Sequence, residues 1–266
     1  MLAKRIIPCL DVKDGQVVKG INFEGLREVG DPVEMGAFYS VQGADELVYL
    51  DISASSEGRR TFTDLVSRIA ERIDIPFTVG GGIASFEDAA RLLDAGADKI
   101  TVNTAAVLCP EIISQIASRY GSQFVVVAID ARTVAFPVAE RVEATSQTGK
   151  TCWQVMTHGG KTPTDKELYS WAKEVQNLGA GEILFTSMDH DGTRNGYAVE
   201  AYSRLAEELS IPVIASGGAG SVEDIEEVLT TGHADAALAA SIFHYGEISI
   251  PDLKRTLRAH GVNVRI

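Results

Sequence analysis

Short apolar runs rich in β-branched residues alternate along the whole chain with stretches of helical period. The strand-like runs are RIIPCL, ELVYL, PFTV, KITV, FVVVAI, EILFT, PVIA and DAALAA. Between them DPVEMGAFYSVQG, TFTDLVSRIAERI, SFEDAARLLDAG and SVEDIEEVLTTG read as amphipathic helices, the first opening with Asp before Pro. In the last two, Ser85 and Ser221 each have an Asp three positions on, the spacing of a capping box. Eight near-continuous apolar strands separated by helices predict a parallel sheet covered on both faces, and eight is the number that closes a (β/α)8 TIM barrel. A doubly wound open sheet is the alternative.

One unit of this pattern occurs twice. IPFTVGGGIASFEDAARLLDAGADKITVNTA (75–105) returns as IPVIASGGAGSVEDIEEVLTTGHADAALAAS (211–241), an offset of 136 (75 against 211) that slips by one at His233. The halves 1–122 and 123–266 therefore match, which favours the closed barrel: a twofold pair of four-unit halves leaves no sheet edge. The expectation is one barrel domain over 1–266 built from two repeated half-barrels.

Composition narrows the chemistry. A formal charge of −13 excludes a surface for nucleic acid or anionic membrane, because phosphate backbones need clustered Lys and Arg. No span approaches transmembrane length, and the apolar run in MLAKRIIPCLDV is too short for a signal peptide, so the expected location is cytoplasmic. Cys9, Cys109 and Cys152 are odd in number and widely spaced, with no metal or redox pairing pattern. No metal or organic cofactor is implied.

In a barrel of this kind the chemistry lies on the loops after the strands. Those positions are Asp11, Asp51, GGGI (80–83), Asn103 with Thr104, Asp130, SMDHDGTRNG (187–196), SGGAG (216–220) and Ser241. A glycine turn entering a helix offers backbone N–H groups to an anion, typically phosphate. Two such turns on opposite sides of one mouth imply an elongated substrate with a phosphate at each end; a single working cradle beside a duplicated relic is the alternative. Asp11 and Asp130 each end an apolar strand four strands apart, so their carboxylates face across the mouth as a candidate acid/base pair. A loop cap or ion pair is the plain reading of either one alone. Lys19, in KDGQVVKGINFEG, is a candidate mobile cation over the substrate. If Glu46 points inward, strand alternation turns Asp51 away from the lumen, behind the reacting groups. At the other end Arg5, Glu46, Lys99 and Glu182 begin strands and form either a structural ring of ion pairs or a gate.

These residues resemble the cyclase subunit of imidazole glycerol phosphate synthase, from histidine biosynthesis. The likeness runs through AKRIIPCLDVKDGQVVKGINFE, GADELVYLDI, FTVGGGI, GADKITVNTAA, GSQFVVVAID, THGGK, GAGEILFTSMDHDGT, PVIASGGAG, ADAALAASIFH and HGVNVR. It implies that ammonia from a glutaminase subunit docked on the N-terminal face travels up the barrel. There it would react with a phosphoribulosyl-formimino aminoimidazole carboxamide ribonucleotide to give imidazole glycerol phosphate and aminoimidazole carboxamide ribotide. Asp11 and Asp130 would be the acid/base pair; Gly82, Asn103 and Thr104 would hold one phosphate; Asp191, Gly192, Gly218 and Ser241 match positions around the other. Asp191 would order its loop. Arg5, Glu46, Lys99 and Glu182 match the family's ammonia gate, and Asp98 a position facing the glutaminase. Segment 131–156 departs most from the pattern. The alternatives are the sister isomerase of the same pathway, which also has a half-barrel repeat and strand-end aspartates, and a silent scaffold for phosphorylated ligands.

Overall fold

The computed structural model describes residues 2–21, 24–52, 56–135 and 152–266, with the side chains at 19–21, 24–26 and 56–61 outside that description. The strands are β1 (Arg5–Lys13), β2 (Gln16–Ile21), β3 (Glu24–Gly30), β4 (Leu47–Asp51), β5 (Phe77–Gly80) and β6 (Lys99–Val102), followed by β7 (Val125–Val134), β8 (Cys152–Thr157), β9 (Thr162–Glu167), β10 (Glu182–Ser187), β11 (Val213–Ser216) and β12 (Ala236–Ala239). Eight of them pair in parallel in the order β1, β4, β5, β6, β7, β10, β11, β12, and β12 pairs β1. The sheet is therefore a closed (β/α)8 barrel, and the open doubly wound sheet is excluded.

The helices are α1 (Pro32–Val41), α2 (Ser56–Ala70), α3 (Phe86–Asp94), α4 (Thr104–Leu108), α5 (Glu111–Tyr120), α6 (Leu168–Asn177), α7 (Val199–Glu208), α8 (Val222–Thr230), α9 (Ser241–His244) and α10 (Ile250–Ala259). Asp31 caps α1 by accepting from the N–H groups of Val33 and Glu34 at 2.9 and 3.1 Å, with Pro32 at the position where no N–H is needed. Both predicted capping boxes form: the Asp88 N–H donates to Ser85 Oγ and the Asp224 N–H to Ser221 Oγ, each at 3.1 Å, and each carboxylate returns the bond to its serine's N–H. Helix α2 runs earlier than the apolar pattern of 61–73 indicates.

Two antiparallel hairpins were not read as strands from the sequence. Strands β2 and β3 extend β1, and β8 and β9 extend β7, so the loops after the first and fifth barrel strands are ladders projecting from the mouth. Strand β9 has no buried residue. The apolar scan selects strands buried on both faces and passes over these.

The core divides in two. Leu47, Tyr49, Val79, Ile100, Val127, Phe185 and Ala215 belong to the shell between sheet and helices, while Ile7, Cys9, Val48, Val126, Leu184, Ile214, Ala236 and Leu238 fill the lumen. Strand alternation then fixes every other inward position. Arg5 and Asp11 share the parity of Ile7 and Cys9, and Asp130 that of Val126. Cys9 is a buried lumen residue. Among the described residues no helix is long and apolar enough to cross a membrane, and no group of His, Cys, Asp or Glu has the makings of a metal site.

Candidate active site at the mouth of the barrel

Strands β1 and β7 lie four steps apart around the barrel in either direction, so Asp11 and Asp130 stand on opposite walls of the mouth. Asp11 is buried and paired along the ladder with Val18 of the projecting hairpin and Leu50 of β4. Asp130 keeps partial exposure, yet loss of water around its carboxyl is the largest influence on it and pushes its pKa up to about 6. The Asn103 amide, donating to Asp130 Oδ2 at 2.9 Å, and the Thr186 hydroxyl pull in the opposite direction, and the nearby charge of Asp191 pushes with the burial. The result is a carboxyl poised to exchange a proton near neutrality.

Asn103 thus touches Asp130 directly, while its Oδ1 is buried with no partner among the described residues. Thr104 opens α4, and its hydroxyl accepts from the His158 N–H at 2.9 Å, tying the tip of the β8–β9 hairpin to the rim beside β6. Gly81 and Gly82 turn after β5 with φ of 97° and 65°, and Gly217 and Gly218 after β11 with 88° and 112°. A Cβ on Gly218 would lie 2.0 Å from the Gly196 carbonyl, so glycine is required there on both counts. Gly192 also has positive φ, in the loop where Asp191 donates its N–H to Ser187, and Ser241 begins the short α9. Asp51 is buried with the outward parity of Leu47 and Tyr49, behind the Gly81 turn. Lys19 lies on β2, and its side chain is among those outside the description.

At the other end of the lumen four charges close a cycle. Arg5 bonds Glu46 at 2.9 Å and Glu182 at 2.8 Å; Lys99 bonds the same carboxylates at 3.0 and 2.9 Å. The Thr78 hydroxyl donates to Glu46 at 2.8 Å. Burial disfavours the Arg5 cation, but Glu182 and Glu46 outweigh it and hold its pKa above the ordinary value. Asp98, exposed beside the ring, accepts from the Phe77 N–H at 3.0 Å. Among the described residues the lumen between ring and mouth is apolar apart from Thr101, whose Oγ1 is buried and has no hydrogen-bond partner among them.

Thr78, Thr101, Thr186 and the Asn103–Asp130 bond were not singled out from the sequence. Alternation would have found the threonines, since each shares the parity of a charged inward residue on its own or the paired strand. The bond needs the closed barrel.

The description of a histidine biosynthesis protein family matches residues 5–249. Imidazole glycerol phosphate synthase subunit HisF of Phocaeicola vulgatus is 59% identical over 266 residues, covering all of both chains. Those of Parabacteroides distasonis and Anoxybacillus flavithermus are each 56% identical with full coverage. The chain belongs to the HisF family. It is the cyclase subunit of imidazole glycerol phosphate synthase, an enzyme of histidine biosynthesis, and the sister isomerase and the silent scaffold fall away.

Proposed function

We propose that Asp11 and Asp130 are the acid/base pair of the cyclase reaction and that the two glycine turns hold the two phosphates of a phosphoribulosyl-formimino aminoimidazole carboxamide ribonucleotide. Addition of ammonia to a carbonyl, loss of water, cleavage at the formimino linkage and ring closure each need a proton delivered on one side and removed on the other. Two carboxyls on opposite walls meet that need, and the products are imidazole glycerol phosphate and aminoimidazole carboxamide ribotide. The observation that carries this reading is the Asp130 carboxyl, raised to about 6 and aimed by Asn103 into the mouth opposite Asp11.

The glycine turns supply backbone donors, which lets a chain of charge −13 hold an anion without a basic surface. Gly82, Asn103 and Thr104 stand at one cradle; Asp191, Gly192, Gly218 and Ser241 stand at the other, with Asp191 shaping its loop and raising the proton affinity of Asp130. Lys19, on the hairpin projecting from β1, contributes a cation over the bound substrate. Asn103 Oδ1, without a partner among the described residues, is a ready acceptor for a substrate hydroxyl or amide.

The ammonia comes from a glutaminase subunit docked where the strands begin. Leu2, Val41 and Ile266, all strongly exposed, lie at that end: Leu2 precedes β1, Val41 closes α1 just ahead of β4, and Ile266 follows the Lys4–Val264 bridge. Exposed apolar side chains around a charged opening suit a partner's apolar face. Arg5, Glu46, Lys99 and Glu182 then act as a gate whose resting state is closed by four ion pairs, and Asp98 lies beside it toward the partner. The apolar lumen above favours neutral ammonia over ammonium.

The test is turnover of the bisphosphorylated formimino substrate by the purified chain with and without ammonium salt. Ammonia-dependent formation of both products is expected; consumption that is indifferent to ammonia would defeat the reading.

A further inference from the structure

Helix α7 carries Tyr202 with no exposed surface behind the ends of two barrel strands. Its hydroxyl lies 2.8 Å from the Phe185 carbonyl of β10, 2.8 Å from the Ser216 carbonyl of β11 and 3.0 Å from the Ser216 N–H. One proton shared between two carbonyls and one lone pair facing an N–H spend the hydroxyl entirely on backbone. These groups belong to the last rungs of the β10–β11 ladder, where Phe185 pairs Ala215 and Thr186 pairs Ser216. The phenol is thus wedged between strand ends just before they leave for the loops at Ser187 and Gly217.

Those loops form the second glycine cradle. Beyond Ser216 the chain turns through Gly217 and Gly218, and the Gly218 carbonyl accepts from the Gly196 N–H at 2.9 Å, joining the loop after β11 to the loop after β10. Tyr197 repeats the device on the third strand: its buried hydroxyl donates to the Leu238 carbonyl of β12 at 3.0 Å, just below Ser241. The rings of Tyr197 and Tyr202 meet edge to face with centroids 6.3 Å apart. Among the described residues, the place in the first half that matches Tyr202 carries no such wedge. Val66 stands as far ahead of β5 as Tyr202 stands ahead of β11, and it has no hydroxyl.

We propose that Tyr202, seconded by Tyr197, is a positioning residue that sets the backbone donors of the second cradle and so tunes the grip on one phosphate of the substrate and not the other. The proposal rests on the reading of the two turns as phosphate cradles. It gives the mouth a way to tell the two ends of its substrate apart.

Tyr202→Phe in the full chain removes the hydroxyl and keeps the ring. The KM for the bisphosphorylated substrate should rise about tenfold with kcat held within about twofold, because a lost hydrogen bond misaims donors without touching the reacting carboxyls. Product inhibition separates the ends, since each product carries one phosphate: the inhibition constant of one should rise about tenfold and that of the other stay put. Equal weakening of both products, or a lowered unfolding midpoint with both constants unchanged, would overturn the proposal. If Tyr202→Phe does not fold, Tyr197→Phe carries the same comparison, and it must weaken one product only. Tyr49→Phe, which removes a buried hydroxyl bonded to the Pro32 carbonyl at the start of α1, should lower stability and leave both inhibition constants unchanged. Titration with inorganic phosphate keeps the tests apart: absence of turnover in the unsubstituted chain sinks the substrate reading, whereas selective loss of one phosphate site in Tyr202→Phe still supports the brace.

Discussion

The Asn103 side-chain amide donates to Asp130 Oδ2 at 2.9 Å, so the residue expected to hold a phosphate also holds a candidate catalytic carboxyl. That bond favours the ionised form of Asp130, against the burial that raises its pKa to about 6. In Asn103→Ala the restraint is gone, and the proton affinity of Asp130 should climb further. We expect kcat to fall about tenfold or more and the pH inflection of kcat to move up. An unmoved inflection would show that the bond does not act on the titrating group.

The same carboxyl makes a prediction about stability. Its folded pKa of about 6 lies above the value of 3.8 for an unperturbed Asp, so the folded state is favoured by the protonated form. The contribution is fully present below the unfolded pKa and is lost as pH rises through about 6, leaving an ionised Asp130 as a cost at neutral pH. Asp130→Asn should therefore raise unfolding stability at pH 7 by roughly 2 kcal/mol while abolishing turnover, and the gain should vanish below pH ~4. Urea unfolding at the two pH values measures it.

The closed cycle at the strand beginnings predicts the opposite sign. Glu46 joins Arg5, Lys99 and Thr78 with almost no exposed surface. Glu46→Gln leaves two half-buried cations sharing Glu182 and should cost about 3 kcal/mol, read from the shift in denaturant midpoint. A cost under about 1 kcal/mol would mean that the pairs behave as a solvated surface network.

Each capping box offers a matched test of the repeat. Ser85→Ala and Ser221→Ala remove the same bond at the start of α3 and α8, and each should destabilise the chain by about 1 kcal/mol. A large inequality would show that the two halves no longer share their local energetics.

Much of this was legible in the chain because a barrel's rules are local. The eight apolar runs all became barrel strands, and Ser85 and Ser221 announced their helices by a spacing of three. Alternation from Glu46 placed Asp51 outside the lumen, as found. What stayed hidden depends on closure. Neither Asn103 nor Asp191 carries a sign that it will act on Asp130, because β6 and the loop after β10 reach that carboxyl only once β7 stands between β6 and β10. The hairpins β2–β3 and β8–β9 were missed for a different reason: strands half open to solvent lack the continuous apolar run that marked the others. Tyr202 reads as an ordinary apolar position on α7, and only its depth shows that its hydroxyl ends among strand carbonyls.

The most direct test of the central claim is the pH profile of kcat/KM for the bisphosphorylated substrate at a constant concentration of unprotonated ammonia, in the unsubstituted chain and in Asp191→Asn. Burial and the Asp191 charge together hold Asp130 near 6, so the account predicts an inflection at about pH 6 that moves downward when that charge is removed. A profile flat from about pH 5 to 7.5, or an inflection indifferent to Asp191, would contradict it.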